Sequence, residues 1–388
     1  MPIYLDHNAG APLRTEARAA IASLLDEPGG NPASVHRAGQ RARRALERAR
    51  AEVAELIGAA PRQITFTSGG SESNNLAIFG ATANARGRRV VSSAIEHSSI
   101  LAPLNELDAR GFEIIRIAPD RDGRIAPASV VAALDENTAL LTLALANAEV
   151  GTIQDLAPLR SHAVRVGAMF HIDAAQAVGR IPVDVESLGC DLMTLSGHKL
   201  GAPAGIGVLY VRDAARIAPT ILGGPQENAL RAGTPNLLGA VAFGAAAHAA
   251  AALMAEESAR IAGLAARLLM NLSAAIPGLS LNGPLTGRLS NTLNLTFPGV
   301  LGESMLIALD LEGVQLSMGS ACAAGAVEPS HVLIAMGRSV AEARSSLRIS
   351  LGWSTSAEEI DAAISIIAPV WRRVAEAEPA RDGAEIAR

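Results

Sequence analysis

Between residues 170 and 209 the chain reads FHIDAAQAVGRIPVDVESLGCDLMTLSGHKLGAPAGIGVL. One acid, Asp173, closes an apolar run there, and one lysine, Lys199, follows another. Residues 169–173 and 191–196 read as short buried strands, apolar and then polar at their carboxyl ends. Ligands of open α/β sheets bind beyond those ends, so both side chains would project into one crevice from neighbouring strands. A carboxylate that can face a pyridine nitrogen and an amine that can face an aldehyde are what pyridoxal phosphate requires of a protein. From the pair alone, a helix-capping aspartate and a solvated loop lysine are an equally good reading.

A second chemical stretch follows residues 63–67, which alternate and are rich in β-branched side chains. Ser68-Gly69-Gly70-Ser71-Glu72-Ser73 then opens a helix. Outward amide groups, the helix dipole and glycine's close approach make such an opening an anion site, although ordinary capped helices begin the same way. It lacks the lysine ending of a Walker loop and the dinucleotide GxGxxG. Cys322 stands in MGSACAAG, where it reads as an accessible thiol, whereas Cys190 precedes an apolar strand and reads as core. Arg348 lies inside an apolar run, which is costly unless it is paired. His97, His171 and His198 fall near the proposed crevice without recurring ligand spacing, so no metal is expected.

The elements that must place these groups follow from the pattern. Strands are predicted at residues 89–93, 113–117, 140–145, 169–173, 191–196 and 207–211. Helices are predicted at 98–110, 128–135, 155–166 and around Ala175. This alternation implies an α/β fold: a mostly parallel sheet with helices on both faces. After residue 212 a polar loop and a long Ala-rich helix lead into mixed short strands and helices, an α+β C-terminal domain. The 388 residues are 49% hydrophobic, 18% charged and only 3% aromatic, so the chain is globular with an aliphatic core. A net charge of −5 without single-sign blocks makes DNA or RNA an unexpected partner. The Ala-rich run 240–254 is read as too short and too weakly apolar for a membrane span. Two cysteines outside any CxxC spacing, and no basic leader, point to the reducing cytosol.

The segments YLDHNAGAP, GNPASVH, ITFTSGGSESNNLAI, EHSSIL, HIDAAQAVGRIPVD, DLMTLSGHKLGAPAGIGVLYVR, RAGTPN, SMGSACAAG and SSLRISLG occur in this order. Together they resemble the cysteine desulfurases, pyridoxal-phosphate enzymes of fold type I related to the class V aminotransferases. The likeness spans residues 4 to about 374, and the short cysteine loop is similar to the GSAC-type group. The resemblance implies a large cofactor domain at 14–250, a small domain from 1–13 and 251–378 carrying the cysteine loop, and a frayed tail at 379–388.

It also implies roles. Lys199 would hold pyridoxal 5'-phosphate as an imine and move protons, and Asp173 would pair with the pyridinium. His97 would stack on the ring, and Gln176 would bond its phenolic oxygen. Gly70, Ser71, Ser196 and His198 would hold the phosphate, with Thr234 reaching in from the second subunit of a homodimer. Arg348, with Asn147, would take the carboxylate of L-cysteine. The thiolate of Cys322 would take the sulfur as a persulfide and pass it to an acceptor protein, for iron–sulfur clusters or thiolated cofactors and RNA. Two departures stand out: Ala148 replaces an asparagine that contacts the phenolic oxygen, and Gly10-Ala11 replaces a pair of threonines. Selenocysteine lyase, another enzyme of the superfamily, or an interaction protein retaining the fold are the alternative readings.

Overall fold

The computed structural model describes residues 2–26, 29–319 and 328–377. Cys322 and the tail expected to fray therefore lie outside the described residues. The first half of the chain runs β1 (Ile3–Tyr4), α1 (Thr15–Leu25), α2 (Arg37–Leu56), β2 (Ile64–Thr67), α3 (Gly70–Ala83), β3 (Arg89–Ser93), α4 (Ser98–Ala109) and β4 (Glu113–Ile117). It continues through α5 (Pro127–Ala133), β5 (Thr138–Ala144), α6 (Leu159–Val166), β6 (Met169–Asp173), α7 (Val185–Leu188), β7 (Leu192–Ser196), α8 (Gly197–Leu200) and β8 (Gly207–Val211). Then come α9 (Leu237–Ala275), β9 (Ser280–Asn282), β10 (Thr292–Thr296), α10 (Gly302–Leu311) and β11 (Val314–Gln315). The last elements are α11 (His331–Ala335), α12 (Val340–Arg344), β12 (Ser346–Ser350) and α13 (Ala357–Ala377).

Strands β2 to β8 form one sheet in the order β2-β8-β7-β6-β5-β3-β4. It is parallel from β7 to β4, and β8 runs antiparallel to both β7 and β2. Period-two alternation divides its side chains between two cores. Phe170, Ile172, Met193 and Leu195 face a cluster built with α2 and the first half of α9. Met169, Leu192 and Leu209 face a second cluster with α3 and α4. The α/β reading with helices on both faces is thus what the chain adopts. A third core combines Ile3 and Leu5 with the second half of α9, β10, β12 and α13, around the antiparallel sheet β12-β10-β9 and the parallel pair β1-β11.

Three expectations need correction. No helix forms around Ala175: the Asp173 side chain accepts from the Ala175 amide at 2.9 Å and turns the chain. Gly179 then adopts φ +75°, where a Cβ would run into Leu200. The helix expected from residue 155 begins only at Leu159, behind Pro158. The third correction concerns α9. It is 39 residues long, with a window of mean hydropathy 1.8, so by length and composition it could cross a membrane. Half of that window is buried, against α1, α2 and α13.

The loop before α9 is anchored by a buried ion pair. Arg50 of α2 donates to both oxygens of Glu227 at 2.7 and 2.8 Å, and Glu227 also accepts from the Phe66 amide at 2.8 Å. Glu227, Asn228 and Ala229 all have left-handed backbones, at φ 48°, 57° and 61°, so the pair offsets real strain. Arg50→Ala would leave the Glu227 carboxylate buried and unpaired, at a cost of about 3–5 kcal/mol. The urea midpoint should fall accordingly, and a midpoint equal to the parent's would show that the pair contributes nothing.

Candidate functional site

Asp173 ends β6 and Lys199 follows β7, so adjacent parallel strands deliver both to the carboxyl edge of the sheet. Asp173 shares the strand face of Met169, which is covered by α3. From that helix Asn74 donates to the Asp173 carboxylate at 2.9 Å, and to Ser99 Oγ at 2.8 Å. The Asn74 carbonyl oxygen is buried without a partner. Sequence reading passed over Asn74, although it lies one helical turn beyond Gly70, on the same helix face.

Lys199 is the only lysine in the chain. Its amine donates to the Asn8 and Ala9 carbonyls, at 2.8 Å for Ala9. Burial first, and then the guanidinium groups of Arg180 and Arg348, bring its pKa down to about 8, against the opposing pull of Asp6 and Asp173. Gln176 also donates to the Asn8 carbonyl, at 3.1 Å, and accepts from Arg180 at 2.6 Å. The Asn8 side chain accepts from Arg180 at 2.8 Å and donates to the Ala148 carbonyl and Thr292. Asn8 and Arg180 were not singled out from sequence. Only the Gly/Pro-bearing loop HNAGAP after the first strand hinted at Asn8.

At the N-terminus of α3, a Cβ on Gly70 would come within 3.4 Å of Ser196 Cβ, so the helix start lies against the end of β7. Ser196 Oγ meets His198 Nδ1 at 3.1 Å, and Ser71 is exposed on the first turn. A Cβ on Gly207 would overlap the Gly69 backbone at 2.5 Å, so only glycine permits this close approach. Thr234 is exposed on the loop before α9. That loop is tied to the first turn of α3 by Arg231, which binds Glu72 at 2.9 Å.

Arg348 is buried in β12, with Asp6 Oδ1 at 2.8 Å from one terminal nitrogen and the Ala148 carbonyl at 3.4 Å from the other. Its Nε is buried and unpartnered. Asn147 lies beside Ala148, with its own polar atoms bonded within the chain. It donates to the Ile95 carbonyl at 3.0 Å and accepts from the Glu149 and Val150 amides, so its polar atoms hold a turn. Cys322 lies outside the described residues, but the segment leading to it is fixed: Ser317 exchanges backbone hydrogen bonds with Arg348. Ser330, beyond that segment, donates to the buried carboxylate of Glu149.

His97 caps α4, accepting from the Ser99 amide at 3.1 Å, and burial lowers its pKa. The preceding Glu96 is wholly buried and pushed up to about 8 by desolvation, while accepting from Ser93 and the Ala144 amide. His171 is a core histidine between Thr142 and Thr194. Cys190 is buried, and desolvation raises its thiol to about 12, as its reading as a core residue required.

These residues fit pyridoxal phosphate. The chain offers one amine of depressed pKa beside a carboxylate already fixed by two donors. It also offers a helix start with hydroxyl and imidazole groups, and buried polar atoms of Asn74 and Arg348 left without partners.

Known proteins agree in sequence and shape. Residues 3–363 match the family model described as Aminotransferase class-V. A cysteine desulfurase IscS of Dictyoglomus turgidum is 41% identical, over 94% of this chain and 93% of the relative. Cysteine desulfurase 2 of Trichormus variabilis is 40% identical, over 96% and 94%. A solved NifS-like protein superposes with a TM-score of 0.90 at 31% identity, covering 96% of this chain and all of that one. The structure of SspA in complex with cysteine gives 0.80 at 34% identity, over 90% and 98%.

Because Lys199 has no lysine competitor, its titration can be followed directly. In the cofactor-free protein, the rate of acetylation at Lys199 should rise with a midpoint near pH 8, well below the ordinary lysine value of about 10.4. A midpoint at the ordinary value would show that neither burial nor the neighbouring Arg180 and Arg348 act on it.

Proposed function

The chain belongs to the class V aminotransferase family, in its cysteine desulfurase branch, and we propose that it converts L-cysteine to L-alanine with pyridoxal 5'-phosphate held on Lys199 and the sulfur passed to Cys322. The observation that carries this assignment of residues is the single lysine, half-buried at the carboxyl edge of the sheet near Asp173 with its pKa brought down to about 8.

When bound, pyridoxal phosphate supplies an aldehyde that joins an amine and a ring that accepts electrons. The chain's own groups do the rest. Lys199, with a substantial neutral fraction near pH 8, acts first as nucleophile and then as proton carrier. Asp173, locked by Asn74 and the Ala175 amide, keeps a proton on the ring nitrogen. His97, whose pKa is lowered, would cover the ring and accept a proton. Gln176 donates to the phenolic oxygen. Gly70, Ser71, Ser196 and His198 hold the phosphate through helix-start amides and short polar side chains.

Thr234 completes the phosphate site of a second subunit. Its loop also carries Ile221 and Leu222, 41% and 81% exposed. Arg348 takes the substrate carboxylate, with Asp6 fixing the guanidinium from one side. Asn147 is assigned to holding the turn that brings Ala148 to Arg348. The Cys322 thiol takes the sulfur of L-cysteine: the carbon–sulfur bond breaks, a sulfur–sulfur bond forms, and the carbon gains a proton to leave as alanine. The persulfide then serves an acceptor protein in the cytosol, for iron–sulfur clusters or thiolated cofactors and RNA. The entry of the two halves of α9 into different cores supports a division into 14–250 and 1–13 with 251–378.

Borohydride treatment of the loaded protein should add the reduced cofactor's mass to the peptide containing Lys199, and an unmodified peptide would overturn the assignment. Cys322→Ala should keep the yellow colour and bind L-cysteine, yet form no persulfide and release no sulfide. Wild-type sulfide release would remove Cys322 from the mechanism. Arg348→Ala should raise KM for L-cysteine, with a loss of about 2–3 kcal/mol in kcat/KM for the missing charged fork. An unchanged KM would place the carboxylate elsewhere.

A further inference from the structure

Arg180 has no assigned part in the reaction, yet it touches two of the groups that surround Lys199. It follows the turn made by Asp173 and Gly179, and no carboxylate pairs with it among the described residues. One terminal nitrogen donates to Gln176 Oε1 at 2.6 Å, to the Gln176 carbonyl at 3.3 Å and to Asn8 Oδ1 at 2.8 Å. A guanidinium can only donate, so the oxygen end of the Gln176 amide must face Arg180. The NH2 end is thereby turned to the Asn8 carbonyl, the same oxygen that accepts from Lys199. With the amide reversed, an N–H would oppose the guanidinium and a carbonyl would oppose a carbonyl. Arg180 therefore decides which end of Gln176 stands beside Lys199.

The residue at 148 gives this arrangement its weight. Alanine there has no side-chain donor, so within the assignment above Gln176 carries the phenolic-oxygen contact alone. We propose that Arg180 is a positioning residue that compensates for Ala148, fixing Gln176 as a donor and setting a positive charge beside Lys199. The inference rests on the assigned role of Gln176. Its electrostatic half stands apart from that role, because Arg180 and Arg348 oppose Asp6 and Asp173 around the lysine, with His97 and His198 also facing it. Burial, and then Arg180, brings the pKa of His7 down to about 3, and His7 lines a cleft of about 40 Å³ with Lys199 and Glu257.

The test compares the parent with Arg180→Met and Arg180→Lys. In the loaded proteins, the visible absorbance of the lysine-bound cofactor is titrated with pH. Arg180→Met should titrate about one unit higher, as expected for loss of a nearby cation and a fixed donor, and Arg180→Lys should return most of the way. The shift should shrink when Ala148→Asn is added, because the second donor is restored. In the cofactor-free proteins, the acetylation midpoint of Lys199 should rise by a similar amount, with any amine introduced at 180 resolved by peptide mapping. Coincident titrations of parent and Arg180→Met, in a parent that carries the cofactor on Lys199, overturn the positioning role and leave the proposed function standing. If the parent does not hold the cofactor, that function fails and the acetylation midpoints alone decide the electrostatic half. Should Arg180→Met not fold, an unshifted Arg180→Gln, which keeps a donor without charge, overturns the proposal's claim on charge.

Discussion

The site depends on one backbone carbonyl. The oxygen of Asn8 accepts from Lys199 and Gln176, while the Asn8 side chain reaches Arg180, Ala148, Thr292 and Asn291 and its amide reaches Ser350. These partners come from the large sheet and from the small antiparallel sheet. A chain whose two halves pack on separate cores needs a joint, and this one is a hydrogen-bonded network in which buried donors and acceptors are mutually satisfied. Displacing Asn8 would misalign the lysine and the arginine together, since both hang from residues that it holds.

Charge around that joint is balanced toward anions. Lys199, Arg180 and Arg348 face Asp6 and Asp173 in a partly buried setting, where interactions are stronger than at the open surface. A phosphate or an amino-acid carboxylate entering here meets more positive than negative charge. The unpartnered Nε of Arg348 fits a group made to receive something, since a buried donor left empty is costly.

The strands were legible because apolar runs with β-branched residues have few other options. Residues 89–93, 113–117, 169–173 and 207–211 fall where periodicity places them. Asp173 and Lys199 were legible because polar residues at the carboxyl ends of such runs point to the crevice of an α/β sheet. The network was not, because the contacts of Asn8 to Lys199, Ala148 and Ser350 span 191, 140 and 342 residues of chain, and no local pattern encodes them. The turn after Asp173 failed as a helix for a local reason: an aspartate bonding to the amide two residues on competes with helix formation.

The single lysine has a consequence for the life of the protein rather than its catalysis. Cellular reactions that write on lysine side chains, whether acylation by metabolites, adduct formation with sugars and aldehydes, or attachment of tagging proteins, find one target in this chain besides its N-terminal amine. Arginine supplies the other formal side-chain positive charges, and guanidinium groups remain protonated at cellular pH. With Lys199 holding pyridoxal phosphate as proposed above, no free side-chain amine would remain in the sequence. On that proposal, loading with cofactor and shielding from lysine chemistry would be the same event.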